Sequence, residues 1–316
     1  MTKRLVTDVA ASVRQRLSNN AMATRRPFQE VLQHYAMERF LYRLAQSPHL
    51  DKFVLKGALM LSVWRAPTTR PTRDIDLLGC MPNDPDAVAS VIREVCQQRV
   101  EPDGLVFDPQ SVTGQVIKED ADYEGVRIAF RGTLQNSRIA MQIDVGFGDV
   151  IVPGALITEY PTILDQTAPR LRGYSRETTA AEKFEAMVKL GSFNSRMKDF
   201  FDIWLLSRQF EFDGQLLARA IQETFANRGT SLPVRPTALT AEFATDRTKQ
   251  SQWQAFLQKS RLTMAPASLA QVVQSLASFL GPVVERLRRS RTFAATWQPP
   301  GPWNEHPDDA PRTGQT

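Results

Sequence analysis

Two acids in the segment 72–77, which reads TRDIDL, are the residues best suited to chemistry. If the segment is a strand, Asp74 and Asp76 project from the same face. Adjacent carboxylates repel each other unless a cation lies between them. Mg²⁺ prefers oxygen ligands and is usually held by one or two carboxylates together with substrate phosphates. The pair therefore predicts a site for Mg²⁺ or Mn²⁺; the alternative is an exposed edge strand with an acidic face.

A third acid, Asp144, lies among aliphatic residues in the segment 141–145. This segment is predicted to be a central strand, where a lone buried carboxylate is costly. A metal site shared with Asp74 and Asp76 would explain the position. The alternative is an acid at the strand end, in water or bonded to a neighbour. Asp149, which follows a glycine, indicates ordinary turn chemistry.

Lys56 and Gly57 join a short apolar strand, residues 53–55, to a helix predicted from about residue 59. Glycine at such a junction lets the backbone approach a ligand closely, and a helix N-terminus favours an anion. The adjacent lysine adds positive charge. The segment is not a P-loop, because the spaced glycines and the Lys-Ser/Thr pair are missing. Placed ahead of the acids, it predicts phosphate binding beside the metal.

The hydrophobic pattern predicts the elements that position these residues. In the first half, helices are predicted at 28–45, 59–65 and 84–98, and strands at 53–55, 74–78, 126–134 and 139–147. In the second half, helices are predicted at 178–190, 197–209, 213–227, 250–260 and 266–291. The fold class is therefore α+β, with a mixed β-sheet flanked by helices and then a mostly helical domain.

Three domains follow from this pattern. Residues 1–175 form a domain that contains the three acids and the N-terminal helices, and residues 176–296 form a mostly helical domain. Residues 297–316 contain five of the twenty prolines and are predicted to be a flexible tail. Trp297 and Trp303 could still attach this tail to the body of the protein.

Composition excludes several classes of protein. The chain has 316 residues, of which 42% are hydrophobic and 23% charged, as in soluble globular proteins. It has no apolar run long enough to span a membrane and no apolar signal core. Two cysteines without a CxxC pair and three scattered histidines argue against a disulfide framework, a cysteine zinc site and a histidine-centred triad. A cytoplasmic protein without a membrane partner is expected; the oligomeric state is open, with a monomer favoured.

The order of these motifs resembles the DNA polymerase β-like nucleotidyltransferase superfamily. More narrowly, FVLKGA at 53–58 followed by RPTRDIDL at 70–77 resembles the AbiEii/AbiGii toxin family, to which the MenT toxins of mycobacteria belong. That family usually has Lys-Gly-Gly-Thr and then Arg-x-Ser/Thr-x-Asp-Ile-Asp. AEK at 181–183 and KDFFD at 198–202 resemble its later motifs. The resemblance covers roughly residues 28–210, and it implies that residues 1–175 are the catalytic domain and that the helical domain at 176–296 completes the active site and contacts RNA.

The resemblance also implies roles for individual residues. Asp74 and Asp76 would be metal ligands, Lys183 a triphosphate contact and Asp202 an active-site acid. The predicted catalytic set is Asp74, Asp76, Asp144, Lys183 and Asp202, with Asp74, Asp76 and Asp144 as metal ligands. The predicted nucleotide-binding set is Lys56, Gly57, Ser62, Thr72, Arg73, Lys183, Lys198 and Asp199.

The resemblance also bears on Thr72 and on the two residues that follow Gly57. Thr72 matches a hydroxyl that can be phosphorylated in some members as a means of inhibition. The family's second glycine and the hydroxyl residue after it are replaced here by Ala58 and Leu59. Because that hydroxyl helps to hold the triphosphate, we expect either that Ser62, one turn further on, replaces it or that the nucleotide is bound differently.

The second-half motifs also have simpler explanations. Lys183 lies near Glu182 and Glu185, an arrangement typical of surface ion pairs. Asp199 and Asp202 are i, i+3 neighbours that could form a solvated acidic face. The last predicted helix ends in arginines that either suit a helix C-terminus or bind RNA phosphates. These arginines are Arg286, Arg288, Arg289 and Arg291.

By resemblance, the protein is the toxin of a type IV-like toxin–antitoxin pair with a cognate antitoxin. It would transfer nucleotides from an NTP, with CTP or UTP as the expected donors, to the 3′ acceptor end of tRNA and so block translation. The alternatives are transfer to a small molecule, transfer or phosphotransfer to a protein hydroxyl, and a non-catalytic protein that binds RNA or a partner.

Overall fold

The computed structural model describes residues 8–66, 70–120 and 123–306. The chain divides into two compact units. The first consists of Met1–Asp149 and Ala155–Tyr174, and the second of Val150–Gly154 and Ser175–Thr316. The sequence predicted a single boundary near residue 175, whereas residues 150–154 belong to the second unit. In the part of the chain that is described, no helix is both long and apolar enough to cross a membrane.

The first unit contains four helices and a seven-stranded sheet among its described residues. The helices are α1 (Val9–Thr24), α2 (Phe28–Gln46), α3 (Leu59–Val63) and α4 (Pro85–Gln97). The strands are β1 (Phe53–Lys56), β2 (Asp74–Gly79), β3 (Leu105–Asp120), β4 (Tyr123–Leu134), β5 (Ser137–Phe147), β6 (Leu156–Glu159) and β7 (Arg170–Gly173).

The strands lie in the order β3-β4-β5-β2-β1-β7-β6. β2 is parallel to β5 and β1 is parallel to β7, while the other neighbours are antiparallel. This arrangement confirms the predicted mixed sheet. Strand β2, which contains the paired acids, is internal to the sheet, and so the alternative of an exposed acidic edge strand is excluded.

One face of the sheet is apolar and is covered by helices. Phe40 of α2 contacts Phe107 of β3 and Phe130 of β4, with ring centroids 5.7 and 5.1 Å apart. Alternate residues of β4 and β5, such as Ile128 and Ile143, are fully buried on this face. Because side chains alternate along a strand, the intervening residues lie on the opposite face. That second face contains the polar residues of the candidate site.

A buried ion cluster fastens α2 to the loop before β3. Arg43 donates from Nη1 and Nη2 to the two carboxylate oxygens of Asp103, at 2.6 and 3.0 Å. Arg39 Nε lies 3.3 Å from the same carboxylate, and all three side chains are almost fully buried. The Asp103 backbone carbonyl also accepts a hydrogen bond from the Tyr35 hydroxyl.

The second unit is mostly helical, as predicted. Its helices are α5 (Arg176–Leu190), α6 (Met197–Gln209), α7 (Gly214–Asn227), α8 (Ala241–Thr245), α9 (Arg247–Ser260) and α10 (Leu269–Arg288). Helix α5 packs against α6 and α7, and α10 packs against α6, α7 and α8. A small antiparallel sheet is formed by β8 (Phe212–Asp213), β9 (Ala295–Trp297) and β10 (Trp303–Glu305).

The C-terminal segment differs from the predicted flexible tail over residues 297–306. Trp297 is buried, and its indole donates to the Ser207 carbonyl at 2.6 Å. Trp303 donates to the Phe279 carbonyl at 2.8 Å and stacks on the Phe279 ring. The two tryptophans provide enough apolar contact to order a proline-rich segment. Residues 307–316 lie outside the described residues.

We predict that Asp103→Ala lowers the free energy of unfolding by about 3–5 kcal/mol, because it leaves two buried guanidinium groups without their carboxylate. The control is Asp108→Ala, which removes an acid paired with Arg131 at the surface, where such pairs contribute about 0–1 kcal/mol. Thermal and urea unfolding of both variants would measure the difference. Equal losses would show that the buried cluster stabilises the first unit no more than a surface ion pair does.

Candidate active site

Four charged residues line up across four neighbouring strands of the first unit. Lys56 of β1 is paired in register with Asp76 of β2, Asp76 with Asp144 of β5, and Asp144 with Arg127 of β4. Residues directly paired across strands project to the same face of a sheet. We call Lys56, Asp76, Asp144 and Arg127 the charge row. Its order is cation, acid, acid, cation, and Asp74 lies on the same face, two residues before Asp76.

Each end of the charge row is fixed by an ion pair. Arg127 donates from Nε and Nη2 to the two carboxylate oxygens of Asp144, at 2.8 and 2.7 Å. Gln142 Nε2 lies 3.3 Å from both of these oxygens. At the other end, Lys56 Nζ donates to Asp149 Oδ2 at 2.8 Å. The two pairs place positive charge on both sides of the acids.

Gly57 is required by the position of Asp76. Its φ of +73° lies in the left-handed region, and a Cβ at this position would overlap the Asp76 carboxylate. The sequence predicted that this glycine lets the backbone approach a ligand closely. In the structure, it is the Asp76 side chain that lies against the Gly57 backbone, between β1 and the start of α3.

The predicted nucleotide-binding set has three further residues in the first unit, Ser62, Thr72 and Arg73, and they are close in sequence to Lys56 and Asp76 of the charge row. Thr72 and Arg73 directly precede β2, and the Thr72 hydroxyl lies 3.4 Å from the Asp74 carbonyl. Ser62 lies on α3. Burial raises the pKa of Tyr160, and an interaction with the Ser62 hydroxyl opposes the rise in part.

A second charged cluster lies within the second unit. Lys183 of α5 contacts Asp199 and Asp202 of α6, with both nitrogen–oxygen distances at 2.8 Å. Arg196 Nε lies 2.8 Å from the other oxygen of Asp199. Both acids are almost fully buried, and so the alternative of a solvated acidic face is wrong. Lys198 is exposed on the same helix.

The charges around Asp199 control its ionisation. Burial alone would raise its pKa, but the positive charges of Lys183, Arg196 and Lys198 outweigh burial and lower the pKa to about 2. Asp199 therefore remains ionised throughout the physiological pH range.

Sequence reasoning missed two residues of the site. Arg127 was part of a predicted strand, but nothing local showed that it faces Asp144. Asp149 was assigned to a turn, whereas it is buried and bonded to Lys56. The available signal for Arg127 was its place in a hairpin with the strand of Asp144, since hairpin register puts these residues opposite each other.

The structure does not present a preformed three-residue metal cage. Within residues 8–66, 70–120 and 123–306, no group of three or more His, Cys, Asp or Glu side chains has a metal-binding arrangement. Asp74, Asp76 and Asp144 lie on one face, but the oxygens of Asp144 are bonded to Arg127 and Gln142.

A strand–glycine–helix unit followed by a two-acid strand within a mixed sheet is the arrangement on which the resemblance to nucleotidyltransferases rests. A family model described as nucleotidyl transferase AbiEii toxin, type IV toxin–antitoxin system, matches residues 39–275. This match spans more than half of the chain, and so the protein belongs to the AbiEii nucleotidyltransferase toxin family. The family resemblance inferred from the motifs is thereby confirmed.

Two solved structures are similar to this chain. JHP933 from Helicobacter pylori gives a TM-score of 0.48 at 14% identity and covers 83% of this chain and 94% of its own. A protein from H. pylori described as a candidate nucleotidyltransferase gives a TM-score of 0.46 at 15% identity and covers 83% and 98%, respectively. A search of curated protein sequences gives no match.

We predict that Gly57→Ala destabilises the protein by more than the ~1 kcal/mol expected from a left-handed φ alone, because the added methyl group also displaces Asp76. Gly229→Ala is the matched control, since Gly229 has a φ of +62° and open space around the position of a Cβ. Thermal melting of both variants tests this comparison. A smaller loss for Gly57→Ala would contradict the close packing of Asp76.

We predict that the Asp199 ion pairs stabilise the second unit above the ordinary carboxyl pKa of 3.8, and that this contribution is lost as the pH falls towards about 2. The difference in Tm between wild type and Asp199→Asn should therefore be large at pH 6 and small near pH 2. Tryptophan fluorescence is a suitable readout, because Trp204, Trp253, Trp297 and Trp303 all lie in this unit.

Glu223→Gln provides the comparison for this pH series, since Glu223 is a half-exposed partner of Arg219. Its Tm should follow that of wild type at every pH. A difference between wild type and Asp199→Asn that does not change with pH would contradict the lowered pKa of Asp199.

Proposed function

We propose that the protein transfers nucleotides from an NTP to the 3′ acceptor end of tRNA and thereby blocks translation. The observation that supports this proposal most strongly is the alignment of Asp74, Asp76 and Asp144 on one polar face, with Lys56 and Gly57 beside Asp76. Membership of the AbiEii family supports the reaction class. We infer three further points from the family resemblance: tRNA as the acceptor, CTP or UTP as the nucleotide donor, and a cytoplasmic location.

The paired acids fit a divalent cation by their chemistry. Asp74 and Asp76 provide carboxylate oxygens from one face of a single strand, and such oxygens are the preferred ligands of Mg²⁺ and Mn²⁺. A bound ion would neutralise charge on the triphosphate and align the attacking and leaving oxygens. We assign Asp74 and Asp76 as its primary ligands, with Asp144 as the third.

The chain's own residues have distinct roles in the proposed transfer. Lys56 and the Gly57 amide bind phosphate oxygens at the end of β1, where Asp149 holds the lysine in place. Asp144 accepts the proton of the incoming 3′-hydroxyl. The oxygen of that hydroxyl forms a bond to the α-phosphorus as the bond to pyrophosphate breaks. Thr72 and Ser62 retain the proposed roles of a regulatory and a phosphate-binding hydroxyl.

In the proposed reaction, the second unit provides residues of the family motifs and basic residues that bind RNA. The family motif suggests a phosphate contact for Lys183, with Lys198 and Asp199 beside it, and an active-site acid for Asp202. Arg288 and Arg291 are exposed at the end of α10 and are available to RNA phosphates. A cognate antitoxin is the partner that a type IV toxin–antitoxin family implies.

We predict that Asp76→Asn reduces nucleotide transfer by at least about a hundredfold, because a lost metal ligand removes several kcal/mol of charge stabilisation. The assay incubates total RNA with each labelled NTP in turn and sequences the RNA 3′ ends. The matched control, Asp86→Asn, changes an exposed acid on α4 and should retain full transfer.

Near-normal transfer by a folded Asp76→Asn protein would overturn the proposed site. Label that appears on protein, or on a small molecule, while tRNA stays unlabelled would overturn the proposed acceptor and leave the transferase class intact. Circular dichroism of each variant checks that the fold is retained.

A further inference from the structure

Arg127 occupies the place beside Asp144 that a cation would take. The guanidinium group binds both carboxylate oxygens in a two-pronged arrangement, the strongest geometry available to an arginine–carboxylate pair. With Gln142 also within hydrogen-bonding distance of both oxygens, the acceptor positions of Asp144 are largely occupied. The side chain of Asp144 is only 12% exposed, whereas that of Arg127 is 36% exposed.

The charge of Arg127 also acts on the paired acids. Its pKa is raised, chiefly by the hydrogen bonds with Asp144 and further by the charges of Asp144, Asp74 and Asp76, while burial opposes the rise. The three acids assigned to the divalent ion are therefore the same three that interact with Arg127. A guanidinium group and a divalent ion among the same carboxylates repel each other.

We propose that Arg127 is an internal competitor of the divalent ion, and that Asp144 becomes a metal ligand only when Arg127 releases it. This inference rests on the proposed function, because it takes Asp74, Asp76 and Asp144 as the metal ligands. The released guanidinium, partly exposed on the polar face of the sheet, is then available to bind the phosphates of the nucleotide. Arginine suits this role because phosphate and carboxylate accept the same pair of N–H groups.

Two consequences follow for the order of binding. Without nucleotide, Arg127 keeps the affinity for the divalent ion low. A triphosphate that draws Arg127 away frees Asp144, and so nucleotide and metal strengthen each other's binding. The protein would therefore take up its metal together with the substrate.

The test measures binding of Mn²⁺ alone, by electron paramagnetic resonance, to the full-length protein without nucleotide. Arg127→Gln should bind Mn²⁺ about tenfold more tightly than wild type, because one nearby positive charge and the competing donors are removed. Arg127→Lys should also bind more tightly, by a smaller factor, because lysine keeps the charge but cannot hold both oxygens. If Arg127→Gln does not fold, Arg127→Lys decides the result.

The matched control is Arg131→Gln, which removes the same charge from the same face of β4. Arg131 is paired with Asp108 rather than with the acids of the site. The Mn²⁺ affinity of this variant should stay within about twofold of wild type. Arg131 is exposed and lies four residues from Arg127 along the strand, and so solvent and salt screen its charge from the acids of the site. An equal gain for Arg131→Gln would mean that net charge alone controls the Mn²⁺ affinity, and not the pair of hydrogen bonds from Arg127 to Asp144. This result would overturn the inference.

Asp76→Asn separates failure of this inference from failure of the proposed function. If Asp76→Asn weakens Mn²⁺ binding but neither Arg127 variant strengthens it, the metal site stands and the inference is wrong. If wild type and Asp76→Asn bind Mn²⁺ equally, the ion does not occupy this face, and both the metal assignment and the inference fail.

Discussion

Repulsion between two neighbouring carboxylates is the constraint on which this site depends. Asp76 and Asp144 lie opposite each other on adjacent parallel strands, where like charges are unfavourable. The sheet accommodates them by placing Lys56 and Arg127 on the outer sides of the pair. Buried or half-buried ion pairs of this kind contribute little to stability compared with apolar packing, and so the charge row is more readily explained by binding than by folding. Under the proposed function, the bound partner would be a divalent cation.

The topology of the sheet produces this arrangement. Strand β2 lies between β1 and β5, so that one antiparallel and one parallel neighbour bring a lysine and an acid next to Asp76. The apolar side of the sheet packs on α2, which contacts β5 and β7, and on α4, which contacts β3 and β4, and this packing fixes the register. A one-residue slip of any strand would move its charged residue to the apolar face. Packing on one side of the sheet thus determines chemistry on the other.

Local patterns in the sequence predicted the parts of this site that depend on local geometry. The two-residue spacing of Asp74 and Asp76 placed both acids on one face of a strand. The order of strand, glycine and helix placed Lys56 and Gly57 before these acids. The pairing of Arg127 with Asp144 and of Lys56 with Asp149 depends on contacts between distant segments, which spacing alone does not specify. Strand β3 was also missed, because Pro109 and an irregular register between Asp108 and Thr113 interrupt its alternation. The ordered C-terminal segment depends on tryptophan contacts with α6 and α10.

The parallel pairing of β2 with β5 has a consequence for how the protein is made. The strands of the charge row are not synthesised in their spatial order, since β2 emerges early and β5 is complete only at residue 147. A nascent chain that ends before that point contains β1 and the paired acids of β2 but not the complete β5, the strand that contains Asp144. The charge row is therefore complete only after most of the first unit has been synthesised.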